Sequence, residues 1–387
     1  MIYRELGKTG EKVSQLGFGC MRLPIIDGVL TNIDEEKAIE MIHYAIENGV
    51  NYFDTAYPYH SKSFEVGGES EPLLAKALRG GYREKVKIAT KLPSWLVHTR
   101  EDMDRILNEQ LERLETDHID FYLIHSLSDA LWENLKKLDI FDFMNKALKD
   151  GRIRHIGFSF HDKLDVFKRI VDDYDWEFCQ IQYNYIDEDF QAGREGYEYA
   201  TKKGLGLITM ESLRGGSLAD KLPKEAVEVF KEAAPEKTPV EWALRWLWNH
   251  ENVDVVLSGM TTLEQVVENI RVANDAKANS MTDKELSVIE KVKDIIKSRT
   301  KVNCTACGYC MPCPTGVNIP ENFKFLNQYY LFDSDQSKRM IKMMFHKMLT
   351  GKEKASNCIE CGKCLSHCPQ KIDIPTKLKK VKEDLEG

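Results

Sequence analysis

Strand-like apolar runs and helical runs alternate along most of this chain, and that alternation limits the fold more than any other feature. After a first strand at 15–19, strand-like runs fall at 50–53, 86–90, 118–124, 153–158, 178–182, 205–210 and 253–257. Helical runs lie near 70–79, 99–115, 132–150, 162–173, 194–203, 238–250 and 262–273. An earlier helix begins at Asp34, an N-cap followed by the apolar stripe Ala38, Ile39, Ile42, Ala45 and Ile46. Strands and helices interleaved in one direction predict an α/β fold, a closed (β/α)8 TIM barrel. A doubly wound open sheet is the competing arrangement, but no Gly-x-Gly-x-x-Gly follows the first strand. Ahead of it, Tyr3–Ser14 alternates around Lys8-Thr9-Gly10 and predicts a hairpin over the bottom of the barrel.

Barrels of this kind carry their chemistry where strands end. The run Val50–Phe53 ends in Asp54, and Tyr59 follows after Pro58 has fixed the loop. Lys91 closes the run Val86–Thr90 and His125 closes Ile119–Ile124. Each interval holds one helix and one strand, so the spacing predicts that Asp54, Tyr59, Lys91 and His125 converge on one face. Taken singly, each has a plain alternative: a salt bridge at the barrel mouth for Asp54 and Lys91, a satisfied core histidine for His125.

The chain changes character near residue 298. The helical run 283–298 has no strand after it, which predicts a boundary between a barrel over 1–297 and a second domain over 298–387. Of the ten cysteines, Cys20 and Cys179 stand apart; the other eight crowd into this second domain. Cys304, Cys307, Cys310 and Cys313 are evenly spaced and followed by Pro314; Cys358, Cys361, Cys364 and Cys368 are followed by Pro369. These runs resemble those of bacterial ferredoxins, where three cysteines hold one four-iron cluster and the fourth reaches the other. The pattern assigns Cys304, Cys307, Cys310 and Cys368 to one [4Fe-4S] cluster, and Cys358, Cys361, Cys364 and Cys313 to a second. The first run departs from it, with two residues rather than three before Cys313. Four-thiolate zinc needs only two Cys-x2-Cys pairs, and neither the third cysteine in series nor the following Pro. Between the runs, 323–349 reads as two helices, with Met340, Met343, Met344, Phe345 and Met348 at helical spacing and predicted to pack on the barrel.

A net charge of -8 and no sustained basic stripe argue against nucleic-acid binding. No apolar run approaches the ~18 residues that span a bilayer, and the N-terminal residues lack a signal-peptide core. The reading is a soluble, cytoplasmic protein with no membrane partner.

With these residues in place the chain resembles the aldo-keto reductase family, and most closely a subgroup with a C-terminal ferredoxin-type domain. The markers are Asp54, Tyr59, Lys91 and His125, then Gly68-Glu69-Ser70-Glu71, Ile156-Gly157-Phe158-Ser159, Cys179–Asn184, Phe158–His161, Arg214-Gly215-Gly216 and Glu268-Asn269. The resemblance implies NAD(P)H-dependent reduction of an aldehyde or ketone, a small-molecule carbonyl substrate. Tyr59 is then the acid, although a free phenol titrates near ~10 and needs a cation to ease proton loss. Lys91 supplies it, Asp54 holds Lys91, and His125 orients the substrate oxygen.

The cofactor contacts it implies are Ser159 and Gln180 for the nicotinamide carboxamide, with Phe160 where an asparagine usually shares that task. Met210 stands where a tyrosine stacks on the ring. Ser258, Gly259, Met260 and Gln265 replace the lysine and arginine that clamp a 2′-phosphate, which makes NADH plausible beside NADPH. Glu268 and Asn269 face the adenine end, and Arg271 is a candidate replacement cation. His161 can face the site but reads more as a cap for the next helix; Trp95 is a candidate apolar wall and Trp132 part of a segment that shapes the pocket, although core packing explains either tryptophan equally well. Hydride carries two electrons and a cluster passes one, so two other readings stand: a ferredoxin-linked reductase with a redox-protein partner, acting through a flavin that no sequence feature demands, and a non-catalytic module like the potassium-channel β subunits.

Overall fold

The computed structural model describes residues 1–331 and 335–387. It contains two compact units, Met1–Leu213 with Val240–Met281 and Arg214–Pro239 with Thr282–Gly387.

The first unit opens with the hairpin β1 (Tyr3–Glu5) and β2 (Lys12–Ser14), paired antiparallel with Tyr3 opposite Ser14. Eight parallel strands then close a barrel in sequence order: β3 (Leu16–Gly19), β4 (Tyr52–Asp54), β5 (Lys87–Pro93), β6 (Ile119–Leu127), β7 (Ile153–Phe160), β8 (Phe178–Gln182), β9 (Gly206–Met210) and β10 (Val255–Gly259). Inside, Tyr52, Ala89, Phe121, Leu123, Phe178, Ile208, Val255 and Leu257 fill the barrel. The hairpin adds Leu6 and Val13, both fully buried, to that cluster. At about 1.5–3 kcal/mol for each buried aliphatic side chain, these two fasten the hairpin as a plug.

Helices α1 (Glu35–Glu47), α2 (Ser70–Ala77), α3 (Arg100–Arg113), α4 (Asp129–Lys137), α5 (Ile140–Lys149), α6 (Leu164–Asp173) and α7 (Gly193–Lys202) follow their strands. Next, α8 (Lys224–Ala233) belongs to the second unit, and α9 (Pro239–Trp248) and α10 (Leu263–Asp275) complete the series. Asp34 accepts from the Lys37 N–H and caps α1, and Thr99 with Asp102 forms a capping box on α3. The single helix predicted over 132–150 is instead α4 and α5. Asp139 between them is left-handed at φ 60°, a conformation that short polar side chains tolerate. The run α8 was not predicted, although Ala226 and Phe230, one turn apart and buried, carry the signal for it.

In the second unit, α11 (Asp283–Arg299) is joined to α8 by the ion pair Arg299–Glu225 at 2.8 Å and to the segment after α8 by Lys237–Glu285 at 2.6 Å. The cysteine-bearing part holds α12 (Ile319–Leu331), α13 (Asp335–Met348), α14 (Lys363–His367) and α15 (Ile374–Val381). Val317, Phe323, Leu326, Ile341, Phe345, Leu349, Leu378 and Val381 are among its core residues, with Cys304, Cys310, Cys313, Cys358 and Cys364 packed against them. The packing predicted for the methionines fails. Phe345 is buried, whereas Met340, Met343, Met344 and Met348 are exposed, because the apolar face of α13 runs through Ile341, Phe345 and Leu349. Among the described residues no helix is long and apolar enough to cross a membrane.

Candidate active site and cluster domain

The parallel register sets the strand ends side by side: Asp54 pairs with Ala89, Lys91 with Leu123 and Pro93 with His125. From there the Lys91 Nζ reaches both carboxylate oxygens of Asp54 at 2.7 Å and the Thr55 carbonyl at 2.7 Å. Lys91 is wholly buried and Asp54 nearly so. Burial pushes Asp54 up and Lys91 down, each opposed by its partner's charge and hydrogen bonds. A bidentate chelate with a third acceptor is the geometry that keeps such a pair charged.

The same Nζ lies 5.1 Å from the centroid of the Tyr59 ring. Tyr59 meets the His125 ring edge-on, with centroids 6.2 Å apart. Its loop is pinned by the next residue: His60, left-handed at φ 59°, accepts from the Leu23 N–H at 3.2 Å and donates to the Leu30 carbonyl at 2.8 Å. Burial, then the charges of Lys91 and His161, hold His125 well below the usual histidine value. It is therefore a neutral imidazole at physiological pH. Trp95 packs on it with centroids 5.1 Å apart, walling this side of the site. Trp132 does not line the site. It is fully buried, donates to Asp173 at 2.7 Å and packs on Trp176.

Along the rim, Ser159 on β7 pairs in register with Gln180 on β8. The Ser159 oxygen accepts from the Ser126 N–H at 2.7 Å, which leaves its own proton to donate. Gln180 is buried, donates to the Met210 sulfur at 3.3 Å, and its Oε1 has no hydrogen-bond partner. Phe160 turns the other way, onto Phe167. His161 is not a helix cap: its Nδ1 meets Gln191 Oε1 at 3.2 Å. At the end of β10, Asn269 donates to Ser258 at 2.9 Å, both buried, while Glu268 is half-buried on α10. The aliphatic stem of Arg22 covers exposed Gly259, 3.2–3.3 Å from where a Cβ would stand. Arg271 pairs with Glu241 at 2.5 Å. The sequence reading overlooked Arg22 and a buried network around Glu71, which accepts from Thr90, Gln110 and Arg113.

In the second unit Cys304, Cys307, Cys310 and Cys368 line one small, mainly apolar pocket. Burial, then the neighbouring thiols Cys307, Cys304 and Cys368, push Cys310 up. Burial, then the charges of Cys358, Cys313 and Cys361, push Cys364 up to about 11, against a backbone hydrogen bond. For Cys313 itself burial acts upward but is outweighed by hydrogen bonds from the Thr315 hydroxyl and the N–H groups of 315–317, and its pKa is lowered.

A barrel with a buried lysine–carboxylate pair next to a phenol, in one chain with a cysteine-rich helical unit, is the architecture of a redox enzyme. The chain belongs to the aldo/keto reductase family: residues 15–294 match that family, and residues 303–372 match 4Fe-4S dicluster domains. It is an oxidoreductase with a C-terminal iron–sulfur domain. It is 26% identical over 320 residues to the L-galactose dehydrogenase of Arabidopsis thaliana, covering 77% of this chain and 96% of that one. Against the probable aldo-keto reductase 1 of Glycine max it is 26% identical over 322 residues, 74% of this chain and 87% of the other. The holo form of aldo-keto reductase AKR11C1 from Bacillus halodurans superposes with a TM-score of 0.61 at 26% identity, covering 76% of this chain and 96% of that one.

The residues fit the groups the family implies. The orphaned Gln180 oxygen and the Ser159 hydroxyl offer an acceptor and a donor, the pair that a primary carboxamide completes. Four thiols lining one pocket without converging suit a multi-iron cluster better than one zinc, whose Zn–S bonds of about 2.3 Å would draw them to a point. Among the described residues no three His, Cys, Asp or Glu side chains close in that way.

Proposed function

We propose that the barrel reduces a small aldehyde or ketone with a nicotinamide dinucleotide, Tyr59 acting as general acid. The observation that carries this is the Lys91 ammonium, clamped by Asp54 and set 5.1 Å from the Tyr59 ring. As charge grows on the carbonyl oxygen, a proton must arrive there, and a fixed cation lowers the cost of drawing it from a phenol. The neutral His125 donates to the same oxygen and orients it, adding no positive charge of its own to Lys91. Trp95 offers an apolar wall against the substrate.

The bound dinucleotide supplies the hydride. Ser159 and Gln180 would hold its carboxamide and Met210 would flank the ring, while Ser258, Gly259, Glu268, Asn269 and Arg22 would hold the adenine end. The side chains of Ser258, Met260, Thr261, Thr262 and Gln265 are uncharged and Arg271 is engaged by Glu241, so Arg22 is the cation placed against this end and NADH stands beside NADPH.

Functionally we divide the chain into a catalytic barrel, 1–297, and a domain, 298–387, that holds two [4Fe-4S] clusters. Cys304, Cys307, Cys310 and Cys368 hold one; Cys358, Cys361, Cys364 and Cys313 hold the other. The packing of Cys304, Cys310, Cys313, Cys358, Cys364 and Cys368 in or against the core supports a structural role for the clusters. Turnover of aldehydes with NADH by the anaerobically purified protein tests the catalytic reading. Tyr59→Phe should lower kcat about 10²–10⁴-fold, and unchanged turnover would remove the proposal.

A further inference from the structure

We infer that Glu71 is a positioning residue for Tyr59 and Lys91: one buried carboxylate, tied on one side to the strand of Lys91 and on the other to the loop of Tyr59, sets the separation of the phenol from the ammonium group. The inference rests on the catalytic reading above and assigns a role to a residue outside the set Asp54, Tyr59, Lys91 and His125.

Glu71 sits in the first turn of α2 and is wholly buried. Burying a carboxylate is costly unless every oxygen is satisfied, and packing alone would be served as well by an apolar residue. Here the satisfaction is directional. Glu71 Oε1 accepts from the Thr90 hydroxyl at 2.7 Å and from Gln110 Nε2 at 2.9 Å. That amide also lies 3.1 Å from the Lys91 carbonyl, and Tyr122 fixes Gln110 from behind by donating to its Oε1 at 2.8 Å. One arm of Glu71 thus grips β5 at Thr90 and Lys91.

The other arm runs the opposite way. Arg113 Nε donates to Glu71 Oε2 at 2.9 Å while its Nη2 donates to the Gly68 carbonyl. Gly68 lies directly against the backbone of the phenol's own residue: a Cβ there would stand 2.0 Å from the Tyr59 carbonyl oxygen. Its N–H donates to the Tyr57 carbonyl at 2.8 Å, and the Ser70 N–H donates to that of Tyr59 at 3.3 Å. The guanidinium fork is what lets a single side chain bridge a carboxylate and a carbonyl. From Lys91 to Tyr59 the links are therefore Gln110 and Thr90, Glu71, Arg113 and Gly68, with only short rigid steps. The negative charge of Glu71 also adds to that of Asp54 in opposing the effect of burial on Lys91.

The test cuts each arm without changing the number of charges. Thr90→Val removes the hydroxyl on the Lys91 side, and Arg113→Lys keeps the cation but cannot reach Glu71 and Gly68 together. Full-length holoprotein is assayed with NADH and an aldehyde, and the Tyr59 titration is followed separately by NMR of isotope-labelled tyrosine in dinucleotide-free protein, with Tyr59→Phe as the assignment. For each single-arm variant kcat is expected to fall roughly 3–10-fold with KM within about 2-fold, and Tyr59 to titrate higher as its cation loosens; for Glu71→Gln the loss reaches about 10–100-fold, as for other outer-sphere partners. A Tyr59 titration and kcat that match the parent in both single-arm variants overturn the inference, whatever happens to the melting temperature. If one variant does not fold, the other carries the same test. A parent protein that turns over no carbonyl would overturn the catalytic reading instead, while the Tyr59 titration still decides the role of Glu71.

Discussion

Lys91 and Asp54 form a closed chelate, with the ammonium nitrogen 2.7 Å from each carboxylate oxygen and both side chains out of water. Breaking it leaves a lone buried charge. Lys91→Met is expected to cost about 3–5 kcal/mol of stability, measured by urea denaturation, and to abolish carbonyl reduction. Asp54→Asn, which leaves the ammonium group with a weaker partner, is expected to retain more stability and lose most of kcat.

Gln180 illustrates the opposite balance. Its Oε1 is buried without a partner, which costs about 1–3 kcal/mol in the dinucleotide-free protein. Gln180→Leu should therefore melt higher than the parent yet bind NADH at least roughly tenfold more weakly. Calorimetry and fluorescence titration read the two effects; a variant that binds NADH normally would remove Gln180 from the cofactor site.

His125 sets one pH dependence. Its folded pKa lies well below 6.5, chiefly through burial, so below about pH 6.5 the unfolded chain takes up a proton that the folded barrel refuses. Stability is expected to fall as pH drops through that range, and His125→Gln to flatten the fall. Equal slopes for the two proteins would count against it.

Asp254 sets the contrary one at the other end of β10. Burial pushes it up to about 7, against hydrogen bonds from the Leu207 and Gly7 N–H groups and the charge of Arg4. Its folded pKa is raised, so the folded state holds the extra proton and stability falls as pH rises from about 4 to 7. Asp254→Asn is expected to be more stable than the parent above pH 7 and to gain nothing below pH 4. Denaturation midpoints at the two pH values decide.

Removing iron with a chelator should unfold the cysteine-bearing part before the barrel, because Cys304, Cys310, Cys313, Cys358 and Cys364 pack against its apolar core. Two melting transitions are expected in the holoprotein, with the one assigned to this part lost on chelation and the barrel transition retained. The same selective loss is expected for Cys310→Ser.

The site residues were legible because a period of strand and helix fixes roughly where each strand stops: Asp54 ends β4, while β5 and β6 run two residues past Lys91 and His125. Glu71 was visible in the segment Gly68–Glu71, but its partners Gln110 and Arg113 arrive from another helix, and no local pattern shows that. Asp139 looked like one polar residue in a helix; only its left-handed backbone divides α4 from α5. The methionines of α13 share the helical spacing of Ile341, Phe345 and Leu349, so periodicity alone could not tell the buried stripe from the exposed one. His161 meets Gln191, some thirty residues on in the chain, a pairing set by tertiary structure.

The cavity lined by Cys304, Cys307, Cys310 and Cys368 is shared with Ile319, Phe323, Ile372 and Ile374. With the proposed cluster in this pocket, oxidative attack that strips its iron would also remove the filling between these apolar side chains, so damage and susceptibility to proteolysis would arrive together. The cell's iron supply would then be written into the lifetime of this domain.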